Sequence, residues 1–549
     1  MFSLHSLFPN EVYKRFARSR GEPATFKKSV ARRLPMPTEQ ELIDERIRKL
    51  ADLREKNINP YPYTFTRSHH NTDVLAKFKL KPEEKSSEKV SVAGRIVSLR
   101  RMGKITFGHI LDQSGKLQVY FKEDILKDYE NLKLFDIGDW LGVNGTVFAT
   151  RSGEITVEVH QFEMLCKSIR PLPDKFHGLK DTELRYRQRY LDLAMSEETR
   201  KVAFLRIKII NSIKEFFRAK GFLEVETPVL QTIYGGANAR PFVTHHHDLN
   251  LQMFLRISPE LHLKRLIVGG FEKVFEVGHQ FRNEGIDTTH NPEFTSLECY
   301  QAYADYHEMM ELTEDVYNHV AKEVLGTTKF TYQGKEIDVK KPWKRLAMLR
   351  GLKEFANIDV EKLGDADLKR ELQKNRLELP QPWTRGAAIA ELFKLVEPHL
   401  IQPVFIIDHP IETTPLCKQL RSGKKDFVER FEPFINGWEI GNAYSELNDP
   451  IVQRELLEVQ ALQLKGGAAE ANPMDEDFVR AIEHGMPPTG GLGLGIDRMV
   501  MLFTNQASIR DIILFPTMKP AEHGERGPAE PKVRALPEGH NVETGKVEK

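Results

Sequence analysis

An arginine at the start of a polar loop is the first feature of this sequence that suggests chemistry. Arg282 opens the loop in FRNE, and His290 closes it in HNPEFT. Strand-forming runs at 273–282 and 293–300 flank the loop, so the stretch predicts an antiparallel pair of strands. A planar guanidinium at this position is suited to hold a carboxylate and a phosphate oxygen together.

The second of these strands carries further reactive groups on one of its faces. Because side chains alternate along a strand, Phe294, Glu298 and Tyr300 are predicted to point the same way, with Ser296 between them. An aromatic ring, a carboxylate and a phenol would then face the same space beside the arginine.

Four sequence blocks in a fixed order carry a resemblance to a known family. Besides the segment above, they are GFLEVETPVL at Gly221, EIGNAYSEL at Glu439 and GLGLGIDRMVMLF at Gly491. They resemble the motifs of the class II aminoacyl-tRNA synthetases, and the span from Thr38 to Pro520 resembles the bacterial type of class II lysyl-tRNA synthetase. The resemblance implies activation of L-lysine by ATP to lysyl-adenylate, transfer to tRNA(Lys), and release of pyrophosphate and AMP.

The resemblance assigns catalysis to two arginines. Displacement at phosphorus depends mainly on positioning and charge neutralisation, which suits Arg282 at the α-phosphate and Arg498, after a glycine-rich strand, at the γ-phosphate. An ordinary salt bridge is the alternative for Arg498. The ATP-binding residues that the resemblance implies are Arg282, Glu284, His290, Asn291, Phe294, Glu432, Glu439 and Arg498.

Two carboxylates of this set, Glu432 and Glu439, lie on adjacent strand segments and match the family's metal ligands. ATP brings more negative charge than two arginines offset, so a divalent cation is required. Carboxylate oxygens are ligands that Mg²⁺ prefers while it keeps water and phosphate oxygens. Mg²⁺ is therefore the expected cofactor.

Acidic residues fit the two ammonium groups of lysine. The resemblance implies that the Gly236 backbone and Glu260 take the α-amino group and that other residues surround the ε-ammonium. Acids crowded into one pocket repel each other unless a cation fills it, and an aspartate ligand would be repelled. Tyr444 departs from the bacterial pattern, in which phenylalanine is frequent. The implied lysine-binding residues are Gly236, Glu260, Arg282, Glu298, Tyr300, Asn442, Tyr444 and Glu446.

Short strands separated by glycines fill residues 89–169 and predict a five-stranded β-barrel, an OB-fold. Such barrels bind single-stranded nucleic acid by stacking bases on exposed aromatics. The resemblance implies that this barrel reads the anticodon with Phe107, Gln118 and Glu154. The alternatives are a Phe107 inside the core, a Gln118 that only faces solvent, and a barrel that is a spacer or binds oligosaccharide.

The predicted fold class is α+β, an N-terminal OB-fold barrel followed by a class II synthetase core of antiparallel β-sheet flanked by helices. Residues 326–382 are interpreted as an insertion without assigned chemistry. The basic leader is either a transit peptide or a segment ahead of a true start at Met36. The predicted segments are the leader at 1–37, an N-terminal helix at 38–66, the barrel at 67–175, a hinge at 176–200, the catalytic domain at 201–520 and a disordered tail at 521–549.

Composition indicates the cellular setting. The 80 basic and 79 acidic residues leave a formal charge of +1, so RNA must be held by local basic patches. Cys166, Cys299 and Cys417 form no CxxC pair, which favours a reducing compartment. No run is apolar enough to cross a bilayer. We expect a cytoplasmic enzyme, and the resemblance implies a homodimer.

Three other functions fit parts of the pattern. An aspartyl- or asparaginyl-tRNA synthetase shares barrel and core, but its pocket should present cations where this chain has Glu298 and Glu446. A ligase that lysylates a protein resembles the core alone, so the barrel disfavours it. An RNA-binding protein with an inactive synthetase core has no need of both arginines and both metal-binding carboxylates.

Overall fold

The computed structural model describes residues 37–173, 179, 181–467 and 471–520. The predicted leader, apart from Pro37, and the predicted tail lie outside the described residues. The described chain falls into two compact units, one that ends at Leu172 and one that begins at Pro173. No helix in the described ranges is long and apolar enough to span a membrane.

Residues 37–172 form a five-stranded β-barrel preceded by two helices. The elements are α1 (Glu39–Glu55), α2 (Asn71–Lys77), β1 (Lys85–Met102), β2 (Ile105–Leu111), β3 (Lys116–Lys122), β4 (Trp140–Ala149) and β5 (Ile155–Cys166). The strands close in the order β1, β2, β3, β5, β4, and only β3 and β5 are parallel among the pairs of this barrel. Alternate side chains such as Ile110, Leu117 and Phe121 fill its interior. The predicted barrel is confirmed.

Among the described residues, the second unit is built on a nine-stranded sheet with two smaller sheets beside it. Its strands are β6 (Leu223–Glu224), β7 (Leu230–Gln231), β8 (Val243–His246), β9 (Leu251–Leu255), β10 (Lys273–Phe281), β11 (Glu293–Ala302), β12 (Lys329–Tyr332), β13 (Lys335–Asp338), β14 (Lys344–Ala347), β15 (Val404–Pro410), β16 (Phe427–Ile435), β17 (Trp438–Glu439), β18 (Gly441–Ser445) and β19 (Thr489–Gly495). The main sheet runs β14, β15, β16, β18, β19, β11, β10, β6, with β17 paired to β16. Its central pairs are antiparallel, as predicted, whereas the two edge pairs, β14 with β15 and β6 with β10, are parallel.

Helices pack on both faces of this sheet. They are α3 (Thr182–Arg187), α4 (Arg189–Met195), α5 (Glu197–Ala219), α6 (Glu260–Val268), α7 (Tyr306–Leu325), α8 (Met348–Phe355), α9 (Asp365–Lys374), α10 (Arg385–Phe393), α11 (Pro450–Lys465), α12 (Glu476–Glu483), α13 (Ile496–Thr504) and α14 (Ile509–Ile512). Helices α5, α7 and α13 share a core with Phe275 and Leu297 on one face, and α6 and α12 pack near Val274 and Tyr300 on the other. Because neighbouring residues of β10 and β11 point to opposite faces, the Tyr300 face holds the predicted polar groups.

The segment predicted as an insertion lies only partly outside the core. Residues Lys344–Ala347 form β14, which pairs with β15 and is the edge strand of the main sheet. The helices that follow, α8 and α9, pack with α10 in their own hydrophobic cluster. A strand of four residues is too short to show a period-two pattern, which is why the sequence did not reveal it.

Candidate active site

A cavity of about 430 Å³ opens on the Tyr300 face of the main sheet. Every site residue that the sequence predicted in the second unit lines it, from Gly236 to Arg498. Strand pairing explains how they meet, because Glu298 lies opposite Gly493 in β19, which in turn lies opposite Asn442 in β18. The predicted residues therefore share one space, and their individual roles as ligands stay predictions.

The loop between β10 and β11 is closed by its own hydrogen bonds. The Arg282 amide donates to the Pro292 carbonyl oxygen at 2.9 Å. Asp287 Oδ1 accepts the amides of Thr289 at 2.6 Å and His290 at 2.7 Å, and Asp287 Oδ2 lies 2.8 Å from His290 Nδ1. Although burial opposes the change, the bonds to His290 and Thr289 lower the pKa of Asp287 to about 2. The ionised carboxylate orients the imidazole toward the cavity wall.

Arg282 and Phe294 face each other at the mouth of the cavity. The guanidinium carbon of Arg282 lies 5.1 Å from the centroid of the Phe294 ring, which is a cation–π arrangement. Arg282 directly follows β10 and Phe294 lies on β11, so the hairpin brings them together. A flat aromatic ligand and an anionic group can both be held at this position.

Several buried polar atoms that line the cavity have no hydrogen-bond partner among the described residues. Burying such an atom without a partner costs roughly 1–3 kcal/mol, so a group of them marks a place where a polar ligand binds. The atoms are Gln280 Oε1, Arg282 Nε, Asn291 Oδ1, Ser296 Oγ and Glu446 Oε1.

Arg498 lies in the first turn of α13, at the end of the glycine-rich β19. Its guanidinium donates to the carbonyl oxygen of Glu439, and its Nη2 lies 3.4 Å from His290 Nε2. The acceptor is a backbone carbonyl oxygen and not a carboxylate, so this contact is not a salt bridge. The guanidinium keeps its positive charge on the cavity wall.

Glu432 and Glu439 lie on adjacent strands, as predicted, because Phe434 of β16 pairs with Glu439 of β17. Desolvation and then the charge of Glu432 raise the pKa of Glu439. Desolvation and the charges of both carboxylates also raise the pKa of Glu397 to about 6. A carboxylate whose pKa is raised by neighbouring acids attracts a cation. Two hard oxygen ligands fit a Mg²⁺ ion that takes its other ligands from water and phosphate.

Glu298 occupies the wall of the inner part of the cavity. Its Oε1 accepts from Ser258 Oγ at 2.8 Å, and its Oε2 accepts from the Tyr300 hydroxyl at 3.1 Å. Desolvation and then the charge of Glu260 raise the pKa of Glu298 to about 8. The carboxyl group therefore holds a proton at neutral pH until a cation arrives.

Lys264 of α6 contacts two of the predicted acids from behind the cavity wall. Its Nζ donates to Glu260 Oε1 at 2.7 Å and forms an ion pair with Glu446 Oε2. The Tyr444 hydroxyl donates to the same Glu260 oxygen at 2.6 Å. Lys264 is fully buried, and sequence analysis missed it. Glu446, predicted to bind the ε-ammonium, thus already has an internal ammonium partner.

Arg430 is a second residue that the sequence analysis missed. Its Nε donates to Asn442 Oδ1 at 2.8 Å, and its Nη2 donates to Glu432 Oε1 at 2.6 Å. It therefore connects a predicted lysine ligand with a predicted metal ligand. Its spacing of two residues from Glu432 on β16 was a signal that both side chains face the cavity.

In the first unit, the predicted anticodon residues share the outer surface of the barrel. Phe107 is paired with Tyr120 across β2 and β3, and their ring centroids are 4.8 Å apart. Gln118 Nε2 donates to Glu154 Oε2 at 2.8 Å. Phe107 is half-buried between inward-facing neighbours, so the alternative of a core aromatic is wrong.

Comparison with known proteins covers both units. A family model described as tRNA synthetases class II (D, K and N) matches residues 181–519, and one described as an OB-fold nucleic acid binding domain matches residues 90–172. The lysine–tRNA ligase of Moorella thermoacetica is 50% identical over 493 residues, which are 89% of this chain and 100% of the relative. The lysine–tRNA ligase of Pelotomaculum thermopropionicum is 52% identical over 488 residues, 88% and 96% of the two chains. That of Clostridium novyi is 49% identical over 517 residues, 91% and 100% of the two chains.

Proposed function

The chain belongs to the class II tRNA synthetases, and we propose that it is a lysine–tRNA ligase that attaches L-lysine to tRNA(Lys) with ATP. The reaction passes through lysyl-adenylate and releases pyrophosphate and AMP. The observation that carries this function is the cavity, whose lining combines the carboxyl groups of Glu260, Glu298 and Glu446 with the guanidinium of Arg282. The carboxyl groups can pair with the two ammonium groups of lysine, and the guanidinium can pair with its carboxylate. The cavity is therefore complementary to lysine.

In the activation step, Arg282 holds the lysine carboxylate and an α-phosphate oxygen of ATP. A carboxylate oxygen of lysine attacks the α-phosphorus, and the bond from that phosphorus to pyrophosphate breaks. The unpartnered Nε of Arg282 supports this assignment, because a free donor in the cavity awaits an anionic acceptor. Positioning and charge neutralisation supply most of the catalysis in such displacements.

The other residues assigned to ATP line the same cavity. Phe294 stacks on the adenine, and Glu284, His290 and Asn291 frame the adenine and ribose. Arg498 holds the γ-phosphate, which its place in the first turn of α13 supports.

Glu432 and Glu439 would hold Mg²⁺, whose charge, when the ion is bound, offsets the phosphates of ATP. The charge of Glu432, which together with burial raises the pKa of Glu439, supports the assignment. Among the described residues no cluster of three or more His, Cys, Asp or Glu side chains is suited to a metal ion. Substrate phosphates and water would therefore complete the coordination shell.

Specificity for lysine comes from the acidic wall. The Gly236 backbone and Glu260 take the α-amino group, while Glu298, Tyr300, Asn442 and Glu446 surround the ε-ammonium beside Tyr444. An aspartate or asparagine ligand would meet carboxylates where its own carbonyl oxygens need donors, so the same pocket excludes the other amino acids of this family.

Recognition of the anticodon is assigned to Phe107, Gln118 and Glu154 on the barrel, and catalysis to residues 201–520. A homodimer is supported by two exposed apolar side chains of the block GFLEVETPVL. They are Leu223 and Leu230, which are 55% and 47% exposed. A cytoplasmic location is supported by the three cysteines, all of them free thiols.

Pyrophosphate exchange into ATP tests this function without tRNA. Lysine should support exchange in the presence of Mg²⁺, whereas aspartate and asparagine should not. Exchange with aspartate or asparagine in place of lysine would overturn the substrate, and exchange with none of the three would overturn the adenylation chemistry. Charging of tRNA(Lys) with lysine completes the test.

A further inference from the structure

The buried ammonium of Lys264 has no part in the assignments above, although it contacts two of the acids that the site uses. It lies on α6 four residues after Glu260, and its side chain is fully buried. It does not line the cavity, so it acts on a ligand only through Glu260 and Glu446.

The surroundings of Lys264 favour its charged form. Burial alone would lower the pKa of Lys264, but the charges of Glu260 and Glu446 outweigh this effect and raise it. Its Nζ also lies 5.4 Å from the Tyr444 ring centroid and 5.9 Å from that of Phe478, within the range of cation–π attraction. Burial raises the pKa of Glu446 well above its ordinary value, and the charge of Lys264 opposes this rise. The other titratable groups that face the two acids are Glu298, Tyr300, Tyr444 and Cys417.

We propose that Lys264 is a positioning residue for lysine specificity: its ammonium holds Glu260 and Glu446 in place and leaves the site two carboxyl groups for the ligand. This inference rests on the proposed function and identifies how the pocket matches its substrate. Glu260, Glu298 and Glu446 bring three carboxylates, and Lys264 neutralises one. Two remain for the α- and ε-ammonium groups of lysine, while the lysine carboxylate pairs with Arg282.

Lys264 contacts Glu260 and Glu446 but does not line the cavity, so its loss should weaken lysine binding and leave ATP binding unchanged. The KM for lysine in the exchange reaction, compared with the KM for ATP, measures this difference.

Without the Lys264 ammonium, the pocket has one carboxyl group more than lysine has ammonium groups, and Glu260 and Glu446 lose the contact that holds them. An opposite charge at contact distance is worth roughly a factor of ten or more. Lys264→Met, which keeps the length of the side chain, should therefore raise the KM for lysine by about tenfold or more and leave the KM for ATP within about threefold of wild type. Lys264→Arg keeps the charge and should keep the KM for lysine near the wild-type value. An unchanged KM for lysine in folded Lys264→Met overturns the inference.

A buried lysine of the barrel offers a matched control. Lys167 is 2% exposed, and its Nζ donates to Asp136 and Asp139, so Lys167→Met also removes an ammonium from a buried pair of acids. It should destabilise the barrel and leave the KM for lysine at the wild-type value. An equal rise of this KM in Lys167→Met would show that general destabilisation produces the effect and would contradict the inference.

The double variant Lys264→Met with Glu446→Gln decides the matter if the single variant does not fold or shows no exchange. It removes one ammonium and one carboxylate, so no acid is left uncompensated. The expected result is a folded protein with measurable exchange and a KM for lysine below that of Glu446→Gln alone, because two carboxyl groups are again left for the two ammonium groups of lysine. An unfolded or inactive double variant, or a KM no lower than that of Glu446→Gln, contradicts the inference. Absence of lysine exchange in the wild-type protein contradicts the proposed function instead.

Discussion

Gly491 of β19 lies so close to Glu446 that no side chain fits between them. A Cβ built on Gly491 would overlap with Glu446 Oε1 and would lie 2.6 Å from Cε1 of Tyr300. Gly493, two residues further along the same strand, has its nearest neighbours in Asn442 and Glu298 at 3.7 Å, which is ordinary van der Waals contact. The two glycines therefore differ in how much room a methyl group would find.

Gly491→Ala should weaken lysine binding because the methyl group displaces Glu446 and Tyr300. Overpacking costs roughly 1–3 kcal/mol, and about 1.4 kcal/mol corresponds to tenfold, so the KM for lysine should rise by about tenfold to a hundredfold. Exchange kinetics at varied lysine concentration measure it. Gly493→Ala is the matched control and should stay within about threefold of wild type. Equal effects of the two substitutions would show that the Glu446 side of the cavity does not contact lysine.

Lysine affinity should depend on pH through Glu298. The folded-state pKa of this acid is raised to about 8, so it is neutral below that pH, and a bound ammonium must displace its proton. Affinity should therefore fall about tenfold for each pH unit below 8, and binding at pH 7 should release about one proton per lysine. Calorimetry in buffers with different ionisation enthalpies measures the release. Glu298→Gln should bind lysine weakly and release fewer protons than the wild type. Undiminished release would assign the proton to another group.

The same raised pKa has a consequence for the free protein. Its contribution to stability is present below the ordinary pKa of a glutamic acid and is lost as the pH rises through about 8, because ionisation is less favourable in the folded state. Lysine should oppose this loss. Thermal unfolding at pH 6 and pH 8.5, with and without lysine, should show a larger stabilisation by lysine at the higher pH.

Phe107→Ala should reduce tRNA charging and leave lysine-dependent exchange unchanged. The Phe107 ring lies on the outer surface of the barrel beside Tyr120, where a base can stack on it. Stacking of one base on an aromatic ring is worth roughly 1–3 kcal/mol, so the KM for tRNA should rise by about tenfold or more. Exchange by the same variant is the internal control. An equal loss of charging and exchange would contradict a role in anticodon recognition.

Glu439→Gln should raise the Mg²⁺ concentration needed for half-maximal exchange. Even residues that only support metal ligands are worth about 10–100-fold in metal affinity, so the shift should be at least about tenfold. Glu429→Gln is the matched control, because Glu429 lies on β16 and its carboxylate accepts from Arg421 and Ser445 outside the cavity. An unchanged Mg²⁺ requirement in Glu439→Gln would remove this residue from the metal site.

Periodic segments were predictable from the sequence. The hairpin that carries Arg282 was predicted at 273–282 and 293–300, and the structure has β10 at Lys273–Phe281 and β11 at Glu293–Ala302. Alternation alone placed Phe294, Glu298 and Tyr300 on one face, and all three line the cavity. The residues of the other blocks were predicted through their resemblance to a family.

Lys264 and Arg430 were not predictable in the same way. Glu260 and Lys264 have the i, i+4 spacing of a solvated pair on a helix surface, which is the common arrangement. Only the packing of α6 against the Tyr300 face buries the pair, and nothing local in the sequence reports that packing. Arg430 alternates with Glu432, but alternation does not reveal that its fork reaches Asn442 on the next strand.

The guanidinium of Arg430 contacts residues of both halves of the cavity. One guanidinium donates to Asn442 on the amino acid side and to Glu432 on the metal side. A ligand that competes with Arg430 for Asn442 or for Glu432 also changes the hydrogen bond of Arg430 to the other residue. We therefore expect the occupancy of the two subsites to be thermodynamically linked. Reciprocity then requires that nucleotide and magnesium change the affinity for lysine by the same factor by which lysine changes theirs.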